Sequence, residues 1–284
     1  MSRVPYADVT ATGRRDPLLP AHRQELEQGS GIHPDVIRER AYISIRAGQL
    51  TRPFSPEQRR DGLLIPIWDV QGHPISCQLK PDAPRTVNGR TIKYESPGGI
   101  GPVIDVPPRA RWALRDPAVP LWITEGVKKV DAAVSHGIAC IIGLQGVWGW
   151  RGRTRDGGRA ALPDWEEIAL DGREVVIAFD SDCMTKRAVR EALRRLAAFL
   201  ARRGAEVRYC LLPDLPDGGK CGLDDFFVRG GTRQELEALV VDALPPLANE
   251  EDAREPELLR VGDVAGQQLD WLWEGWIPRR MLTI

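Results

Sequence analysis

The run Phe179-Asp180-Ser181-Asp182 closes an apolar stretch at residues 174–179 and carries two carboxylates two positions apart. In extended backbone, residues i and i+2 point to the same side. Both side chains can therefore meet one hard cation such as Mg²⁺ or Mn²⁺, which prefers oxygen ligands. A solvated strand end or a helix cap explains the same pattern. Thr124-Glu125-Gly126 ends an earlier apolar run. It puts a third carboxylate before a glycine that permits a sharp turn from strand to helix. Taken alone, Glu125 also reads as an exposed loop glutamate. A later acidic cluster holds Asp214, Asp217, Asp224 and Asp225. Asp224 there reads equally as a helix cap. Gly218-Gly219-Lys220 is not a phosphate loop: the preceding glycine spacing is missing, and Cys221 stands where Ser or Thr is needed.

Cations accompany the acids. Lys128 and Lys129 follow Glu125 by one helical turn, and Lys80, Arg85 and Lys93 precede it in sequence. Lys186 and Arg187 open a stretch that continues through Arg190, Arg194, Arg195, Arg202 and Arg203, against Glu191 alone. That basic face reads either as a track for a nucleic-acid backbone or as a solubilising surface. Trp148, Trp150 and Trp165 lie near an arginine-rich segment and read as packing residues, with base stacking the alternative.

Elements must hold these groups in place. Residues 121–124, 140–144, 174–179 and 207–212 are short apolar runs, separated by helical patterns at 127–136 and 186–203. In the second helix Val189, Leu193, Leu196, Ala197 and Leu200 form one apolar stripe. Strands spaced by helices in this way predict a parallel sheet covered on both faces, with sites at the carboxyl ends of its strands. Ahead of it, residues 18–60 read as short helices. Residues 63–68 and 75–79 read as a hairpin around Asp69-Val70-Gln71-Gly72, and residues 90–94 as a third strand. Residues 148–171 read as an exposed loop, and residues 233–243 as a final helix before Pro245-Pro246. The expected organisation is a disordered segment 1–17, an α+β subdomain 18–115, an α/β domain 118–244, and a linker with an apolar tail at 245–284.

Composition narrows the function classes. At 284 residues, with 42% apolar and 28% charged side chains, the chain can build one large core or two modest ones. Its net charge of −1 gives no overall attraction for nucleic acid, so any such binding rests on local patches. No apolar run is long enough for a membrane span, and residues 1–15 lack a signal core. The five cysteines form no Cys-x-x-Cys pair, which argues against a paired-cysteine zinc site or a disulfide framework. A reduced cytoplasmic protein without a membrane partner is expected.

A Glu-Gly turn, a helix, a second strand and then a strand ending in Asp-x-Asp is the plan of the toprim domain, and residues 120–230 resemble it. That domain is shared by bacterial-type primases, type IA and II topoisomerases and some nucleases. The likeness implies a Rossmann-like parallel sheet flanked by helices, preceded here by a smaller basic α+β subdomain. It implies Glu125 as an acid/base or metal-linked carboxylate and Asp180 and Asp182 as metal ligands. Asp224-Asp225 stands where primases carry a differently spelled acidic segment, and both are carried over as metal-side carboxylates. The order of Gly62 to Gly72, Gln78-Leu79-Lys80-Pro81-Asp82 and Lys93-Tyr94-Glu95-Ser96-Pro97 is similar to the basic subdomain of bacterial primases, with Thr91-Ile92 in place of a proline. In wording, residues 18–230 look most like the toprim-like domain of plasmid- and phage-encoded primase-helicases.

The resemblance implies Mg²⁺- or Mn²⁺-dependent nucleotidyl transfer on a single-stranded DNA template with NTPs. Glu125, Lys128 and Lys93 would then be catalytic, and Lys80, Arg85, Lys93, Lys129, Lys186 and Arg187 would contact nucleic acid or NTP. Residues 271–284 resemble the lead-in strand of a hexameric-helicase-type ATPase, so such an ATPase is expected in cis or in trans. No zinc module precedes residue 60, no complete Walker A motif occurs, and Tyr6, Tyr42, Tyr94 and Tyr209 lack a topoisomerase context. A toprim nuclease and a non-catalytic module that binds single strands or docks a helicase remain as rival readings.

Overall fold

The computed structural model of the protein describes residues 18–154 and 156–246, together with two short strands at 271–273 and 277–278. The expected disordered segment 1–17 and linker residues 247–260 lie outside the described residues. The chain divides into two compact units, Met1–Leu244 and Pro245–Ile284.

The first unit opens with helices α1 (Pro20–Glu27) and α2 (Pro34–Arg40), each with proline in its first turn. There the missing N–H costs nothing and the fixed φ favours the helix. An antiparallel sheet follows: β1 (Ile43–Ile45), β2 (Gly62–Trp68) and β3 (Pro74–Pro81), with β2 in the centre. Asp69 accepts the Gln71 and His73 N–H groups at 2.9 Å and so shapes the turn of the β2–β3 hairpin. Both faces of β2 are covered. Leu63, Ile65 and Ile67 enter one core, and Leu64 enters another with Cys77, Leu79 and Phe54.

Two expectations change here. The third strand of this sheet is β1, inside the stretch expected to be helical. Residues 90–94 instead give only β5 (Arg90–Thr91), paired with β4 (Thr86–Val87). Asn88 and Gly89, with φ of 50° and 75°, make the tight left-handed turn that closes this small ribbon.

The central sheet contains β6 (Leu121–Glu125), helix α3 (Val127–Ser135), β7 (Ile141–Leu144), a ribbon of β8 (Arg151–Arg153) with β9 (Arg159–Ala161), and β10 (Glu174–Ile177). It continues through α4 (Arg187–Ala201), β11 (Glu206–Cys210), α5 (Leu223–Val228), α6 (Arg233–Ala238) and β12 (Val240–Val241). The ribbon stands apart; the remaining strands pair in the order β12-β11-β10-β6-β7. All neighbours are parallel except the edge strand β12. Side chains alternate between faces as strand geometry requires. Trp122 and Val176 join the core that holds α3, β2, α1 and α2, whereas Ile123, Val175 and Ile177 join the core that holds α4. The apolar stripe of α4 is buried as its spacing predicts, through Leu193, Leu196, Ala197 and Leu200.

The segment 148–171 is not a plain exposed loop. Trp165 is fully buried, its indole N–H donates to the Trp150 carbonyl at 2.9 Å, and both rings pack against Phe199 of α4. The tryptophans at 150 and 165 are packing residues. Nor does residue 243 end a helix: the chain turns at Leu239 into β12, which caps the sheet edge.

A buried ionic network joins the two sheets. Arg40 is fully buried; its Nε and Nη2 donate to Asp131 of α3 at 2.6–3.1 Å, and its Nη1 donates to Asp105 at 2.5 Å. The Tyr42 hydroxyl donates to Asp131 at 2.7 Å, and the Trp68 N–H donates to Asp105 at 3.0 Å. Asp105 also pairs through its backbone with Gly143 of β7. In the second unit, β13 (Trp271–Trp273) and β14 (Ile277–Pro278) form an antiparallel pair.

Candidate functional site

The chain leaves β6, passes through α3 and pairs β7 on one side; β10 lies against the other side of β6. Open sheets bind ligands at the carboxyl end of such a reversal. Glu125 is the last residue of β6, and Gly126 turns the chain into α3 with φ of 91°. A side chain there would strain the backbone. Asp180 lies three residues beyond β10, and Asp182 falls inside the single 3-10 turn Ser181–Met184. The two aspartates therefore lie on a turn that follows the strand, not on the extended strand expected from their spacing. The Ser181 N–H donates to the Cys221 carbonyl at 3.0 Å, and the Cys221 N–H donates to Ser181 Oγ at 2.9 Å. This reciprocal pair fastens the 214–222 loop to the aspartate turn.

Asp180 is 3% exposed. Lys220 Nζ donates to its Oδ2 at 2.6 Å. Lys129 Nζ lies 2.6 Å from Oδ1, but its direction falls outside hydrogen-bond geometry, so Oδ1 is buried with an ion-pair partner and no hydrogen bond. Asp224 Oδ1 is likewise buried without a hydrogen bond. Gly222 sits between them. A Cβ added to it would lie 2.8 Å from Asp224 Oδ1, 3.0 Å from Asp180 Oδ1 and 2.3 Å from Lys129 Cε. The glycine makes room for a cradle that the Lys129 side chain crosses, bordered by two carboxylate oxygens without hydrogen bonds.

Glu125 belongs to the same electrostatic group. Burial raises its pKa; Lys129 opposes the shift, Asp180 adds to it, and Lys220 and Asp182 act more weakly. Burial also raises Asp224, with Lys129 opposing and Asp225 and Asp180 adding. Lys220 loses basicity to burial but gains more from Asp180, and the net shift is upward. Opposite charges favour the ionised form and like charges disfavour it, so these groups sense one another across a single rim.

The predicted residues do not all gather here. Asp182 pairs with the exposed Lys186 at 2.9 Å. Asp225 turns away: its Oδ2 accepts the Gly222 N–H at 2.9 Å and caps α5, leaving Asp224 to face the cradle. Lys128 donates to Glu25 of α1 at 2.9 Å, and Lys80 reaches the same carboxylate at 2.5 Å. Arg85 is bound by the buried Glu95 at 2.5 and 3.1 Å. Lys93 and Arg187 are exposed and make no hydrogen bond or ion pair among the described residues. Lys220, Gly222 and Glu25 escaped sequence reasoning. In sequence Lys220 stands out only beside Gly218-Gly219, in a segment that is not a phosphate loop, and nothing local marks Glu25.

Among the described residues no three His, Cys, Asp or Glu side chains converge closely enough to hold a metal ion by themselves. Mg²⁺, however, is commonly held by one or two carboxylates with water and substrate phosphate completing the shell. Two buried oxygens without hydrogen bonds, beside a lysine on a flexible stem that can withdraw, fit that demand, with Asp180 and Asp224 as ligands and Glu125 at the rim.

A family model described as a domain of unknown function, DUF3854, matches residues 110–234. An uncharacterized protein of Picosynechococcus sp. is 25% identical over 80% of this chain, which spans only 28% of that relative's length. The fold is similar to the Aquifex aeolicus primase (zinc binding and RNA polymerase domains), with TM-score 0.54 and 17% identity over 78% of this chain and 55% of that one. The RNA polymerase domain of Mycobacterium tuberculosis primase DnaG gives 0.52 and 14%, covering 78% and 77%. A DnaG catalytic core gives 0.51 and 20%, covering 79% and 73%. The architecture, a mostly parallel sheet flanked by helices with an α+β part before it, is thus that of primase toprim cores. No helix among the described residues is long and apolar enough to cross a membrane.

Proposed function

We propose that the chain is a divalent-metal-dependent nucleic-acid enzyme of the primase type, which joins NTPs on a single-stranded DNA template. One observation carries this reading: Asp180 and Asp224 each bury an unsatisfied oxygen beside Gly222, at the sheet reversal where Glu125 ends β6. In the reaction, a 3′-hydroxyl attacks the α-phosphate of an NTP, a new phosphodiester forms, and pyrophosphate leaves. Asp180 and Asp224 would hold Mg²⁺ or Mn²⁺, which when bound offsets charge on the attacking and leaving oxygens. Glu125, held basic by burial, takes the hydroxyl proton at its carboxylate. Lys129 and Lys220 stand beside the metal-side carboxylate and can move their ammonium groups onto the incoming phosphates. Lys93, exposed and unpaired, serves the template or triphosphate from the preceding subdomain.

The plasmid or phage primase-helicase setting belongs to the same proposal, with a hexameric-helicase-type ATPase in cis or in trans. A matched region that makes up 28% of a curated relative agrees with such a module within a larger protein.

The test is direct. The protein is incubated with single-stranded DNA, labelled NTPs and Mg²⁺ or Mn²⁺. Short oligomers are expected, falling about a hundredfold or more in Asp180→Asn, the scale on which loss of one charge-stabilising group acts. Shortened DNA without oligomers would replace the primase with a nuclease. Folded protein giving neither product would leave a binding scaffold.

A further inference from the structure

The β8–β9 ribbon carries a second charged feature, of opposite sign and outside the carboxylate cluster. Arg153 and Arg159 are direct cross-strand partners, and Arg151 lies two residues from Arg153 on the same ribbon face. Like charges placed directly opposite one another destabilise a ribbon. Among the described residues none of the three guanidinium groups has an ion-pair or hydrogen-bond partner, and Arg151 Nε is buried unsatisfied. Arg151 is nevertheless fixed: its guanidinium lies 4.1 Å from the Trp148 ring centroid and 5.5 Å from that of Trp150. Burial, Arg159 and Arg195 all hold its basicity down.

These arginines line a cavity of about 660 Å³, whose other walls include Ile100, Pro102 and Leu162. The acid in the lining, Asp164, is 4% exposed and accepts the Ile104 N–H at 3.2 Å. The segment 100–103 that forms one wall continues directly from the exposed stretch holding Lys93 and Tyr94. The ribbon itself starts seven residues after β7, on the carboxyl side of the strand beside Glu125.

We propose that the Arg151–Arg153–Arg159 face is a phosphate-binding site for the backbone of single-stranded nucleic acid, bringing the strand past the carboxyl edge of the sheet. The three guanidinium groups repel one another until phosphates lie between them. Guanidinium forks suit phosphate oxygens, and the apolar wall offers contact to bases without reading their sequence. The proposal rests on nucleic acid being the substrate, but not on any particular reaction.

The test measures binding of fluorescein-labelled dT20 by the full chain, by anisotropy, across a salt series. Arg153→Gln with Arg159→Gln removes two exposed charges that hold no partner among the described residues. Affinity at moderate salt is expected to fall about tenfold, and the log–log salt slope to shrink by about 1.4, roughly 0.7 for each lost single-strand phosphate contact. Arg202→Gln, one exposed charge at the far end of α4, should stay within about twofold. The thermal midpoint of the double variant should hold or rise, because a like-charge pair is relieved. Equal affinity and an unchanged slope in the double variant would overturn the site. So would inorganic triphosphate competing as well as dT20 at equal phosphate concentration. Binding of dT20 is read without NTPs or divalent metal, so a protein that makes no oligomers can still pass this test. A wild type that fails to bind dT20 even at low salt would overturn the site and the nucleic-acid reading together.

Discussion

The Arg40 network and the Asp180 cluster both bury carboxylates against cations, and α3 contributes to each, Asp131 to the first and Lys129 to the second. Around Arg40 the cation is a planar guanidinium with no exposure, bonded bidentately to Asp131 and singly to Asp105. Around Asp180 the cations are lysines with side chains 18% and 55% exposed; Asp180 Oδ1 and Asp224 Oδ1 accept no hydrogen bond, and the former has only the Lys129 ammonium 2.6 Å away. A guanidinium fork is rigid and its geometry fixed, whereas an ammonium on a four-carbon stem can withdraw. The first arrangement is a sealed joint between elements. The second is poised to exchange its cations for something better. Asp105 Oδ2 in the Arg40 network is also buried without a hydrogen bond, so burial, charge and an unsatisfied oxygen do not separate a structural ion pair from a functional one; the mobility of the partner does.

The comparison breaks most visibly at Arg40. Arg40→Met leaves Asp105 and Asp131 buried without their counter-charge, and losing one partner of a buried pair costs about 3–5 kcal/mol. Urea unfolding monitored by tryptophan fluorescence should show that loss. Adding Asp105→Asn and Asp131→Asn should recover much of it, since the stranded charges are then gone. A loss below about 1 kcal/mol in Arg40→Met would mean that the network is not the joint between the sheets.

A smaller effect, on ligand rather than stability, is expected at Gly222. The φ of −102° suits any residue, so Gly222→Ala adds only a methyl group in the cradle. Its nearest collision, 2.3 Å to Lys129 Cε, is with the far end of a flexible side chain. The fold should survive with a cost of about 1 kcal/mol or less. Mn²⁺ affinity, read by electron paramagnetic resonance, should drop about tenfold, because the space between Asp180 Oδ1 and Asp224 Oδ1 is filled. Undiminished Mn²⁺ binding would move the metal away from this cradle, and with it the contrast with Arg40.

The sheet was legible in the sequence because β6, β7 and β10 are buried on both faces and so read as continuous apolar runs broken by helical periods, while β11, only part-buried, follows the helix at the same spacing. The Gly126 turn and the acidic strand ends were legible for the same reason: Glu125 and Asp180 interrupt those runs abruptly. What escaped was decided by contacts distant in sequence. Ile43–Ile45 becomes a strand because β2 offers it an edge, and Val240–Val241 because β11 does. Asp224 and Asp225 have the same side chain, and only the direction of the α5 cap distinguishes them. Lys128 looked catalytic from its place after Glu125, yet α1, about a hundred residues earlier, supplies the carboxylate that holds it.

That carboxylate gives the smallest and sharpest test. Glu25 is bound by Lys80 at 2.5 Å and Lys128 at 2.9 Å, in a pair neither sealed like Arg40 nor left open like Asp180. Burial pushes its pKa up most, but the hydrogen bonds and charges of Lys80 and Lys128 together outweigh it and the net shift is downward. A carboxyl depressed in the folded state adds stability above its unfolded pKa and loses it as pH falls through the folded one. Glu25→Gln should therefore be less stable than wild type by about 1 kcal/mol at neutral pH, a figure reduced for partial exposure. Because the wild type loses its advantage on protonation, the difference should close between about pH 5 and pH 3. The Asp105 carboxyl is raised by burial, so its own contribution slopes the other way and weakens as pH climbs above its unfolded value. A Glu25→Gln deficit that stays constant or grows in acid would place Glu25 with the sealed joint. Lys80 and Lys128 would then be structural cations, fixed between α1 and α3 and unable to turn toward phosphate.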